Sequence, residues 1–149
     1  MSDAAQMVAC ARGWLGTRFC HQGRRKRSAQ DAGGVDCLGL LIGVADELGL
    51  HHDGAPVHAL DELAYGHLPD EAYLRTRLEA VLQPASSIGC GQVALMRVDG
   101  RAQHVGLVGD YAHGEGFSLI HAYAPARAVV EHQLDALWQQ RIVQLYAWA

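Results

Sequence analysis

Of the four cysteines and nine histidines in this 149-residue chain, one cysteine stands where it can become reactive. Cys37 lies in the stretch GGVDCLGLL, between an aspartate and an apolar run, where a helix is predicted to begin. At a helix start the unpaired backbone N–H groups and the helix dipole favour negative charge. A thiol there is expected to titrate low and to act as a thiolate nucleophile. The glycines before it let another segment approach closely. Cys10 falls inside a predicted helix, and Cys20 and Cys90 fall in loops, where a thiol is simply a small hydrophobe. No two cysteines form a CxxC pair, so a zinc site of that spacing is not expected.

A cysteine nucleophile needs a base. Among the nine histidines, His104 and His121 stand apart because both lie in predicted strands. In QHVGLVG, His104, Gly106 and Val108 share one face, and in FSLIHAY so do Phe117, Leu119 and His121. If the strands pair, both histidines are expected on the side where the Cys37 helix packs, with Gly106 leaving room for it. His51, His52 and His113 read as loop residues, and no HxH or HExxH spacing suggests a metal.

These residues must be held by a scaffold. Asp3 and Gln6 resemble a capping box, and Met7, Val8, Ala11, Trp14 and Leu15 follow on one helical face up to Gly16. Residues 17–35 read as a loop. Asp36 is the expected N-cap of a second helix with a stripe of Leu38, Leu41, Ile42, Ala45 and Leu48, closed by Gly49. A third helix is expected from Pro69-Asp70-Glu71, with Leu74, Leu78, Val81 and Leu82 inward and Pro84 as its stop. The period then changes. Strands are predicted near 92–98, 103–109, 117–122 and 128–131, with Asp99-Gly100 as a hairpin turn. A short helix at 134–139 and a strand at 141–147 end the chain. Helices followed by an antiparallel sheet make this an α+β fold in a single domain, residues 1–149.

Half the residues are hydrophobic and the net charge is −4, which argues against nucleic-acid binding. Arg24-Arg25-Lys26-Arg27 reads as a short solvated basic loop, with anionic-substrate binding as the alternative. No run approaches the ~18 apolar residues of a membrane span. The N-terminus lacks the pattern of a signal peptide, so a cytoplasmic protein, or one exported by another route, is expected, and no disulfide framework.

The order of a helix-borne cysteine, a histidine on one strand and a polar partner on the next resembles the NlpC family of cell-wall cysteine peptidases, which have a papain-like fold. The matching pieces are WLGTRF, VDCLGLL, GQVALM, QHVGLV and LIHAY, spread over nearly the whole chain. HQ after GTRFC and the ending VVEHQLDALWQQRIVQLYAW resemble a subgroup from bacteriophage and prophage tail clusters. The resemblance implies Cys37 as nucleophile, His104 as general base and His121 as the residue orienting it. Asp36 is then a cap and loop anchor, and Phe19 and His21 are supporting residues near the substrate. It implies a thiolate–imidazolium pair below the ordinary thiol pKa of ~8.5. The implied activity is cleavage of a peptidoglycan stem peptide, most often between D-glutamate and the diamino acid, with no metal or organic cofactor. Implied partners are the stem peptide and phage tail proteins, and implied places of action are the virion tail, periplasm or cell wall. The alternatives are a tail-assembly protein with little activity, or an amidase or acyltransferase of the same fold. The chain departs from the family pattern at Phe19, where a tyrosine is usual, at Gln92, where an aspartate is usual, and in its longer RRKRSAQ loop.

Overall fold

The computed structural model describes residues 3–67, 69–98 and 100–148. Helix α1 (Ala4–Arg12) starts on a capping box, with Asp3 accepting from the Gln6 N–H at 2.8 Å and the Gln6 side chain accepting from the Asp3 N–H at 3.0 Å. Met7, Val8 and Ala11 face inward. The helix stops at Gly13, earlier than the apolar spacing suggests, so Trp14 and Leu15 lie in the following turn, which Gly16 completes with φ +85°. Two short strands, β1 (Arg24–Arg25) and β2 (Gly34–Val35), pair within the segment expected to be a loop.

Helix α2 (Cys37–Glu47) begins at Asp36, whose side chain accepts from the Gly39 N–H at 2.8 Å. Its fully buried residues are Gly39, Leu40, Leu41, Val44 and Ala45, whereas Leu38 and Ile42 of the expected stripe are half-buried. The reason is that α2 is covered on two sides. Leu38 and Ile42 line an apolar recess with Val57 and Leu78. A small hairpin, β3 (His51–His52) with β4 (Ala55–Pro56), and a 3-10 turn (Val57–Leu60) lead to an irregular segment and then α3 (Glu71–Glu79), capped by Asp70. No helix among the described residues is long and apolar enough to cross a membrane.

The main sheet contains β5 (Leu82–Ala85), β6 (Val93–Val98), β7 (Arg101–Asp110), β8 (Phe117–Tyr123), β9 (Ala128–Gln133) and β10 (Ile142–Trp148). Their order is β5-β10-β6-β7-β8-β9, antiparallel at every pairing. Pro84 therefore does not stop a helix. It lies on edge strand β5 opposite Tyr146, a position where a missing N–H is tolerated. Gly100 has the φ of +82° that the expected hairpin turn requires, while its partner in that signal, Asp99, lies outside the described residues.

One face of the sheet presents Val93, Leu95, Val105, Leu107, Ile120 and Ala122 to α1, α2 and α3. The other carries Ala94, Met96, Val108 and Leu119 beneath Leu134 and Trp138 of the C-terminal turn and α4 (Ala136–Gln139). The register changes once between β6 and β7: Met96 faces His104 and Arg97 faces Ala102, so Gln103 is an extra residue on β7. Beyond that bulge Ala102 joins the helix-side core, as Val105 and Leu107 do.

Gly43 shows how tightly α2 is fitted. A Cβ there would lie 2.3 Å from the Trp14 ring, and Trp14 is only 3% exposed. Gly43→Ala should lower the urea denaturation midpoint by an amount corresponding to about 1–3 kcal/mol. Trimming the ring in Gly43→Ala/Trp14→Leu should make the double variant less unstable than the sum of the singles, and simple additivity would refute the contact.

Candidate active site

Because Asp36 is the cap, Cys37 is the first residue of α2. Its sulfur faces backbone N–H groups of Val105, Leu38 and Cys37 itself. Val105 follows His104 on β7, so the helix start meets the sheet beside that histidine. Phe19, Asp36, Cys37, Tyr65, Gln103 and His104 line one cleft of about 110 Å³.

His104 is the first of three linked imidazoles. Its Nε2 lies 2.7 Å from Nδ1 of His121. Nε2 of His121 lies 2.8 Å from Nε2 of His132, and Nδ1 of His132 lies 2.9 Å from the Gln133 carbonyl oxygen. Tyr123 stacks on His121 at 4.9 Å, and Trp138 packs edge-on against it at 5.4 Å.

This row corrects the expected side of the sheet. Val105 and Leu107 pack with α2, while His121 packs with Trp138 on the opposite face. Gly106 belongs to that opposite face too, since a Cβ there would lie 2.7 Å from a Leu119 methyl and 3.1 Å from the His121 Cβ. Its lack of a side chain makes room for His121, not for the helix. His104 still borders the cleft because it sits at the bulge, next to the β7 backbone against which Cys37 rests. His132 escapes the sequence reading because the predicted strand ends at Glu131. Continuing the alternation from Val130 would have placed it on the histidine face.

Burial acts on the charges of the site. Burial, with a smaller contribution from the Asp36 charge, pushes the Cys37 thiol up to about 12, against the opposing N–H groups. A helix terminus contributes typically 0.3–1 kcal/mol, under one pK unit, whereas desolvation can shift a pKa by several. Burial wins. Cys37 keeps partial exposure to the cleft, so water there tempers the shift without reversing its direction. Burial lowers His104 to about 4; burial and then its imidazole neighbours lower His121 to about 2. Burial thus works against a charge on the thiol and on the imidazoles alike, and opposes the thiolate–imidazolium pair.

Asp36 is held by four donors: Gly39 N–H at 2.8 Å, Gln22 N–H at 2.8 Å, Arg24 Nη1 at 3.0 Å and the Tyr65 hydroxyl at 2.6 Å. Arg24 also pairs with Asp61 at 2.8 Å and donates to the Tyr65 oxygen at 2.7 Å. The basic run is thus solvated only in part: Arg24 is turned inward and Lys26 is half-buried, whereas Arg25 and Arg27 are exposed. Arg25 pairs with Asp31, Lys26 pairs with Glu47 and lies over Trp14, and Arg27 donates to the Leu15 carbonyl. Only Arg24, bonded to Asp36, Asp61 and Tyr65, is firmly built into the fold. His21 stacks on His67 at 3.9 Å and meets Tyr65 edge-on at 5.6 Å, at the rim of the same cleft. Phe19 lines the cleft without a hydroxyl, and the hydroxyl supplied there by Tyr65 is one that composition and spacing gave no reason to choose. Among the described residues no His, Cys, Asp or Glu cluster is arranged to hold a metal ion.

No family model matches the chain, and no curated protein matches it in sequence. Solved structures do match in shape. The NlpC/p60 domain of the peptidoglycan hydrolase SagA superposes with a TM-score of 0.58 at 20% identity, covering 98% of this chain and 99% of that one. An N-acetylmuramoyl-L-alanine amidase from Bacteroides uniformis gives 0.65 at 13% identity, covering 98% of each. The fold is that of an NlpC/p60 domain.

Two measurements test the electrostatics. The rate of iodoacetamide labelling at Cys37 should keep rising with pH beyond the ordinary thiol value of ~8.5, and the exposed Cys20 should react first near neutrality. A plateau in the Cys37 rate below that value would restore the ion pair. The second is stability against acid. His104 and His121 bind protons more weakly folded than unfolded, where 6.5 is usual, so their contribution is full above about 6.5 and drains as pH falls towards about 4. The urea midpoint should drop across that window, and His121→Asn should reduce the slope by about one proton, ~1.4 kcal/mol per pH unit. An unchanged slope would mean that His121 is not buried neutral.

Proposed function

We propose that the chain is a papain-like cysteine peptidase of the NlpC type that hydrolyses an amide of the peptidoglycan stem peptide, between D-glutamate and the diamino acid. The observation that carries this reading is Cys37 at a helix start, against the Val105 N–H, in a cleft shared with His104, whose far nitrogen is engaged by His121. The NlpC/p60 fold supports the substrate class.

The Cys37 sulfur attacks the amide carbonyl carbon while its proton passes to His104. Because burial disfavours an isolated charge on either group, transfer and attack proceed together. The Cys37 backbone N–H is the natural donor to the developing oxyanion. His104 gives its proton to the amine nitrogen as the C–N bond breaks, leaving a thioester. Water then attacks the thioester with His104 taking its proton, and the C–S bond breaks to release the carboxylate and the thiol. Asp36 remains a cap and loop anchor, with no part in proton transfer.

Likeness to the Bacteroides uniformis amidase favours a second reading, cleavage of the amide between the muramoyl group and L-alanine. The tail-associated sequence features support action from a phage tail. Mass spectrometry of defined muropeptides after incubation separates the readings. A new amine on the diamino acid is expected; a free muramoyl carboxylate would select the amidase reading, and no cleavage by folded protein would select a structural tail role. Cys37→Ala should abolish cleavage and keep the fold, and His104→Ala should cost about 10²–10⁴-fold. His121→Asn should retain more activity than His121→Ala. If His121→Ala abolishes turnover and His104→Ala barely lowers it, the two roles are exchanged.

A further inference from the structure

The row of imidazoles has a direction, and the backbone sets it. The Gln133 carbonyl oxygen can only accept, so the Nδ1 of His132 facing it at 2.9 Å carries hydrogen. A neutral His132 then offers a bare Nε2, and Nε2 of His121, 2.8 Å away, must donate. That leaves Nδ1 of His121 bare, accepting at 2.7 Å from the Nε2–H of His104. Burial keeps His104 and His121 neutral, so neither carries a second hydrogen. All three bonds run away from the cleft. Their sum leaves Nδ1 of His104 without hydrogen, which is the form a base for Cys37 must have.

We propose that His132 is a positioning residue for the hydrolase reaction: it transmits the direction of hydrogen bonding from the Gln133 carbonyl through His121, and so keeps Nδ1 of His104 free. The activity part of this proposal rests on the cysteine-hydrolase reading, while the proton arrangement does not. His132 is half-buried at the outer end of the row, with its ring 4.6 Å from that of Trp138. His121 faces it from β8 and Trp138 from α4, and the Arg141 cation stacks on that same indole at 4.4 Å. Protonation would matter. A charged His132 donates from both nitrogens, its bond to the Gln133 carbonyl is kept, the two imidazole–imidazole bonds reverse, and Nδ1 of His104 acquires the hydrogen. A proton arriving on the far side of the sheet thus removes the base on the near side.

The test is nitrogen NMR of histidine-labelled protein without substrate, near pH ~8, where free imidazole is neutral. His104 and His121 should show the Nε2–H tautomer and His132 the Nδ1–H tautomer. His132→Leu removes the acceptor, so His104 and His121 should become tautomer mixtures, with kcat down about tenfold or more and KM unchanged. His132→Gln can accept from His121 through its side-chain oxygen and should restore both the tautomers and most of kcat. It should also abolish the reversal on acidification. A wild-type His104 in the Nδ1–H form, or unaltered His104 and His121 tautomers in His132→Leu, would overturn the proposal. If His132→Leu does not fold, the wild-type spectrum and the Gln variant decide. Absence of hydrolysis by wild type would sink the hydrolase reading and leave the tautomer result standing.

Discussion

The carboxylate of Asp36 is the constraint on which this site depends. It is 5% exposed and accepts from the α2 backbone, the Gln22 backbone, the Arg24 guanidinium and the Tyr65 hydroxyl. Without it the buried Gly39 N–H would be left unsatisfied, at about 1–3 kcal/mol for a buried group, and Gln22, Arg24 and Tyr65 would lose their common partner. One side chain thereby decides where α2 begins, which places Cys37, and where two otherwise irregular segments attach to form a wall of the cleft. Gly39 belongs to the same arrangement. A Cβ there would lie 2.1 Å from the Gly23 carbonyl oxygen, so the loop closes on the helix only because nothing stands between them.

That anchoring has an electrostatic consequence. The charge that caps the helix also opposes a negative Cys37, and burial opposes it more. Helix-terminal N–H groups pull the other way and are outweighed. Burial thereby disfavours an isolated charge on Cys37 and on His104 alike. It also makes the proton arrangement on His104 a decisive variable. For a neutral imidazole, the tautomer decides whether the nitrogen facing the cleft can act as a base.

The two halves of the site come from opposite faces of the sheet. The helix holds Cys37 against the backbone of β7, while the imidazole row is packed under Trp138 on the far side. The bulge at Gln103 and the end of β7 let His104 serve both. Arg12 ties α1 to the same strands through Glu131 at 2.8 Å and Asp110 at 3.1 Å, so the helix layer is locked to the sheet near its β9 edge.

The cap at Asp36, the capping box at Asp3, the helix start near Asp70 and the strands β6 to β10 were legible in the sequence because each depends on neighbours a few residues apart, whereas β1 to β5 were not. Legible too was the place of Cys37 at a helix start, which its neighbours set locally. Other features needed the tertiary structure. The face that His104 and His121 occupy is decided by which face α2 covers, and that depends on packing between segments far apart in sequence. Tyr65 reaches Asp36 across 29 positions, Arg24 reaches Asp61 across 37, and Lys26 spends its charge on Glu47. His132 joins His121 only because β9 pairs with β8. The upward push on the Cys37 thiol has the same kind of origin. Sequence displays the dipole of a helix start, whereas the burial that overrides it exists only once the sheet, the helix and the 61–67 segment have closed around the sulfur.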